Sequence, residues 1–179
     1  MIRIDTVLDS WKTVRQDTIQ AVEDFPAGEM GFRPTPDTMT FGEIARHILE
    51  AGHALTGLML DGVENLNTPE FRGMLRKYSP PLPEQPSPAQ LAGELRGALD
   101  LRLGQLAAQP PDFFSHPMTR MDGQKITRLE MLQFVKEHEL THRAQLFLYL
   151  RLKGIVPATT RRRLAKQADA ASAQGSKSA

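Results

Sequence analysis

Three capping boxes punctuate the chain and fix most of what it can fold into. Thr40-x-x-Glu43, Ser87-x-x-Gln90 and Thr127-x-x-Glu130 each place a hydroxyl residue ahead of an acid or amide. The hydroxyl accepts from a first-turn N–H, and the longer side chain reaches back to the capping residue's own N–H. Each pair therefore writes a helix start into the sequence. Pro88 strengthens the second start, because its fixed φ suits the first helical position and its missing N–H is not needed there.

Apolar residues recur at helical spacing behind each box. Ile44, His47, Ile48, Ala51, Leu55 and Leu58 form one stripe, which Asp61-Gly62 stops. Leu91, Leu95, Leu99, Leu103 and Leu106 form another, which Pro110-Pro111 ends. Met131, Val135, His138, His142, Leu146 and Tyr149 form the last, up to Gly154, a residue suited to the left-handed C-terminal position. A similar segment precedes them all, from Ile4 to Phe25. Its stripe is Val7 or Leu8, Trp11, Val14 or Arg15, Thr18 or Ile19, and Val22, and Pro26 ends it. No segment of comparable strength alternates like a strand. Four amphipathic helices of about twenty residues predict an all-α four-helix bundle.

The connections carry expectations too. Pro26 to Met39 is rich in turn formers and includes Arg33-Pro34-Thr35-Pro36. Val63 to Pro86 is long enough to let the next helix run parallel to the last, and such loops often cover active sites. A short helix within it, from Thr68 to Lys77, is compatible with the sequence before the prolines begin at Pro80. Met121-Asp122-Gly123-Gln124 predicts a turn, with a small hairpin around it. Beyond Pro157, Thr160-Arg161-Arg162-Arg163 predicts a short basic helix, and from Ala168 the tail has little to bury. The organisation expected is a bundle over residues 1–157 with an appendage over 158–179.

Composition narrows the chemistry. With 179 residues there is room for one domain and a full core. The net charge of +1 gives no field that favours nucleic acid, membranes or acidic substrates. The contiguous Arg161, Arg162 and Arg163, with Lys166, lack interleaved aromatics and read as a solvated helix face. The chain has no cysteine, which excludes disulfides, thiolate ligands and a cysteine nucleophile. The N-terminus lacks an apolar signal core and no apolar run would span a bilayer, so a cytoplasmic location is expected.

The chemistry concentrates in histidines. His138-Glu139-Leu140-Thr141-His142 reads H-E-x-x-H, which puts two imidazoles on one helix face, one turn apart. His47 lies on the apolar stripe of the second helix. Imidazoles facing a core are costly unless their nitrogens are paired. Three of them on inward stripes point to a divalent-metal site with positions left for water.

A zinc peptidase is the obvious reading of H-E-x-x-H, but the chain supplies no usual third ligand. The extended motif would need histidine at Leu148 and glycine at Gln145, and no acid occurs from Arg143 to Gln167. Glu139, about 100° round the helix from His138, is a candidate general base or metal-orienting partner, or else a helix-pairing or solvated glutamate. Glu50, His53, His116, Arg143, Gln145 and Tyr149 are further candidates, each with a plain structural alternative; Trp11 is most simply core.

Thr40-Phe41-Gly42-Glu43-Ile44-Ala45-Arg46-His47-Ile48 and Glu137-His138-Glu139-Leu140-Thr141-His142-Arg143-Ala144-Gln145-Leu146 together resemble the DinB/YfiT-like superfamily of metalloenzymes. Tyr149 to Gly154 and the Arg33-Pro34 loop fit the same resemblance, which covers roughly residues 4–157. Ala144 departs from it, standing where the family often has glycine. The resemblance implies a bundle of variant up-and-down topology with a long crossover between its second and third helices. It implies a divalent metal, often nickel or zinc, bound by His47, His138 and His142, and a homodimer. It also implies thiol-dependent S-transfer or isomerisation of small molecules, with a low-molecular-weight thiol as cofactor. A bundle that binds metal or ligand without turnover is the alternative.

Overall fold

A computed structural model describes residues 3–175. The elements run α1 (Ile4–Asp24), α2 (Phe41–Leu60), α3 (Phe71–Arg76), α4 (Pro88–Ala107), β1 (Pro117–Thr119), β2 (Lys125–Thr127), α5 (Arg128–Leu152) and α6 (Ala158–Gly175). Two short 3-10 turns, Ala27–Glu29 and Pro111–Ser115, lie in the connections.

All three capping boxes form. Glu43 N donates to Thr40 Oγ1 at 3.1 Å and Thr40 N to Glu43 Oε2 at 2.6 Å. Ser87 with Gln90, and Thr127 with Glu130, repeat the reciprocal pair. Phe25, forced out of helical geometry by Pro26, closes α1 at φ −83° and ψ 137°. Gly154 takes φ 73°, the left-handed conformation that lets the chain turn back after α5.

The four long helices form the bundle. α1 packs against α4 and α5, and α2 packs against the same two, so α1 faces α2 across one diagonal. α2 and α4 run parallel. Arg46, early in α2, donates to the Pro83 and Glu84 carbonyls just ahead of α4, while Arg102, late in α4, donates to the His53 carbonyl at 3.1 Å. The 61–87 crossover makes that parallel pair possible. It carries α3 and is tied down where Lys77 and Tyr78 bond the Asp61 carboxylate. β1 and β2 form the expected hairpin, with Met118 opposite Ile126. No described helix is long and apolar enough to cross a membrane.

The apolar core has two parts. One gathers Val7, Trp11, Leu55, Leu58, Met131 and Val135; the other gathers Val22, Phe25, Phe41, Ile48, Leu146 and Tyr149. Burying each large side chain contributes about 1.5–3 kcal/mol. Arg15, Thr18 and Glu139 are buried polar residues placed between the two parts along α1 and α5. The expected stripe of α5 is thus widened: Leu132, Glu139 and Leu150 are buried beside it, while His138 and His142 are half-buried at its margin.

α6 is longer than the short basic helix expected. It continues through the polar segment to Gly175. Arg161 bonds Asp24 at 2.8 Å and Arg162 bonds Asp17, which fastens the start of α6 to α1. The end of the polar tail, residues 176–179, lies outside the described residues.

Candidate metal centre

α2 and α5 bring three histidines together. His47 comes from α2, and the i, i+4 spacing on α5 stacks His138 and His142 on one face. Ring centroids are 4.8 Å apart for His47 and His138, 4.7 Å for His47 and His142, and 4.5 Å for His138 and His142. One nitrogen from each lies within 4.8 Å of the others. The Nε2 atoms of His47 and His138 are 3.1 Å apart.

The electrostatics favour ligation. Burial, then the neighbouring His142 and His47, push the His138 imidazole down to about 4, against a smaller opposing pull from Glu139. Burial and His142 lower His47 as well. Both rings are therefore neutral at pH 7, with a lone pair to offer an ion. His142 Nδ1 lies 2.8 Å from Gln145 Oε1. An amide oxygen can only accept, so Nδ1 carries the proton and Nε2 is left as the ligand atom. Three imidazoles from two helices fit zinc, nickel or a similar divalent ion.

Glu139 stands apart from this cluster. Its Oε1 accepts from Arg15 Nε at 2.7 Å and Thr18 Oγ1 at 2.8 Å; its Oε2 accepts from Arg15 Nη2 and Trp11 Nε1, both at 2.9 Å. Four donors fill the four lone-pair sites of a carboxylate. The contacts are those of the helix-pairing glutamate among the sequence alternatives, and they commit to α1 the carboxylate that a peptidase would need as its base. Sequence reading missed the partners. Arg15 and Thr18 were visible only as polar residues on the apolar stripe of α1.

The remaining candidates separate by position. Gln145 meets His142. Arg143 reaches α1, with Nη1 3.3 Å from Asp17 Oδ2. Glu50 pairs with Arg46 at 3.8 Å on the surface. His53 lies between α2 and α4, its Nε2 3.4 Å from Arg102 Nη2 and its ring against Tyr78. His116 is exposed, with Nδ1 2.9 Å from the Asp112 carbonyl. The Tyr149 hydroxyl is used by the preceding loop, donating to the Met39 carbonyl at 2.9 Å. Phe134, also on α5, lies 6.2 Å from the His138 ring, and Arg120 at the hairpin turn stacks on Phe134 at 5.1 Å.

The family model of the DinB superfamily matches residues 10–146. The chain belongs to the DinB superfamily. Its DinB relatives include the Bacillus subtilis (strain 168) protein YjoA, 24% identical over 154 residues, covering 86% of this chain and 93% of YjoA. The crystal structure of YjoA, a DinB-like protein, superposes with a TM-score of 0.66 at 19% identity, over 83% of this chain and 92% of that one. A mycothiol-dependent maleylpyruvate isomerase shares the fold at a TM-score of 0.61 and 15% identity. The match covers 81% of this chain and 61% of that enzyme.

Proposed function

We propose that this DinB chain is a divalent-metal-dependent enzyme that joins a low-molecular-weight thiol to a small electrophile. The observation that carries the reading is the convergence of His47, His138 and His142, half-buried and drawn from two helices. A bound zinc or nickel ion would act as a Lewis acid and lower the pKa of a thiol or water at its open position. The protein's own part is to hold three imidazoles from two helices, with Gln145 orienting the ring of His142. The fold shared with a mycothiol-dependent isomerase supports thiol chemistry.

A homodimer in a cytoplasmic setting belongs to the same reading. Leu148 and Leu152, 54% and 55% exposed and one turn apart on α5, offer an apolar face for it. Light scattering tests the dimer, with a monomer as the opposing result.

A second reading is a metal- or ligand-binding bundle without turnover. It is favoured by the commitment of Glu139 to α1 and by the absence of any carboxylate from the described ligand cluster. The assay that separates the two supplies metal, a panel of thiols and small electrophiles to the purified protein. Turnover above a His138→Ala control supports the enzyme; turnover equal to that control removes it.

A further inference from the structure

On two successive turns of α5, a residue that grips α1 stands directly after a histidine that faces α2. Glu139 follows His138 and bonds Arg15, Trp11 and Thr18; Arg143 follows His142 and bonds Asp17. We propose that Glu139 and Arg15 are a positioning pair. They set how far α5 is turned about its own axis and so bring His138 and His142 to His47. This inference rests on the metal-centre reading above.

Leverage makes the pairing consequential. Imidazole nitrogens ride at the outer radius of the helix, where a turn of about 10° moves them by roughly 1 Å. Metal–ligand distances tolerate about 0.2 Å. The hydrophobic attraction between α1 and α5 has no preferred direction of its own. A two-pronged guanidinium–carboxylate pair resists such a turn strongly, because both bonds must stay in one plane.

The same guanidinium also seats the other helices. Arg15 Nη1 donates to the Leu95 carbonyl of α4 at 3.1 Å. On α2, Gly52 comes so close that a Cβ there would lie 2.9 Å from Arg15 Nη2 and 3.6 Å from Trp11. α2 carries His47 one and a half turns before Gly52. One buried group therefore governs the spacing of both helices that supply ligands.

Stability alone explains such a pair poorly. Arg15 and Glu139 are 1% and 2% exposed, and taking two charges out of water is costly enough that an apolar pair often serves a fold as well. Their specific gain is orientation.

The test uses cobalt(II) as the probe ion, with its visible ligand-field bands reporting geometry and a chelator competition reporting affinity. The proteins are wild type, His138→Ala, Glu139→Gln, Thr18→Val and the double variant Arg15→Met with Glu139→Leu. Melting without metal shows which are folded, and Thr18→Val removes the hydroxyl's bonds to Glu139 and to the Val14 carbonyl of its own helix with little change of shape. Expected is a folded double variant whose affinity falls about tenfold or more, with altered bands, and a smaller loss for Thr18→Val. Folded variants that keep wild-type affinity and bands overturn the positioning role and leave the metal centre standing. Wild type that binds no better than His138→Ala overturns the metal centre itself.

Discussion

His47 Nε2 and His138 Nε2 lie 3.1 Å apart, although 91 residues separate them in the chain. Two ligands at zinc distances around a tetrahedral ion are about 3.3 Å apart, so the pair is already close to the spacing that an ion requires. The H-E-x-x-H motif provides only one side of that arrangement; α2 provides the other.

Gln145 fixes His142 through Nδ1. Gln145→Ala frees that ring to rotate and to change tautomer. Metal affinity is expected to fall about tenfold, with thermal stability of the metal-free protein unchanged. Chelator competition on both proteins checks it.

Single and double substitutions at the buried pair should differ sharply in stability. Arg15→Ala or Glu139→Ala leaves one buried charge without its partner and is expected to cost about 3–5 kcal/mol. Arg15→Met with Glu139→Leu removes both charges and is expected to cost far less. Urea denaturation of the three variants measures the difference, and equal losses would contradict it.

Gly52 has no room for a methyl group, with Arg15 Nη2 2.9 Å and Trp11 3.6 Å from where its Cβ would stand. Gly52→Ala gains helix propensity, yet it forces the guanidinium or α2 to shift. The net effect is expected to be a loss of about 1–3 kcal/mol, read from the denaturation midpoint.

His53 sets a pH dependence. Burial, then the charges of Arg102 and Arg15, lower it from 6.5 to about 4, so the folded protein holds it neutral. The unfolded chain takes up the proton first as pH falls. Its contribution to stability is therefore fully present above pH 6.5 and is lost as pH falls through about 4. Melting temperatures of the metal-free protein between those limits should fall less steeply for His53→Gln than for wild type; parallel curves would contradict the assignment.

Much of this architecture was legible in the residues. Thr40, Ser87 and Thr127 announced three helix starts, and Pro26 and Gly154 announced two stops, because caps and breakers act through neighbours in sequence. The length of the 61–87 connection allowed the parallel α2 and α4. The role of Glu139 was not legible to the same degree. Its donors on α1 are 121 to 128 residues away, and a glutamate at the edge of an apolar stripe reads equally as solvated. Arg15 and Thr18 gave a faint signal as polar residues on an inward face. Periodicity reports which face is inward, not which polar groups find each other there. For α6, composition argued against order beyond Ala168, whereas the helix continues from an anchor on α1.

X-ray absorption at the zinc edge counts the imidazoles around the ion, and so asks whether His47 joins His138 and His142 on it. One zinc per chain is expected, with three histidine nitrogens at about 2.0–2.1 Å, falling to two in His47→Ala with weaker binding. A His47→Ala protein with the wild-type spectrum and affinity would contradict that ligand set.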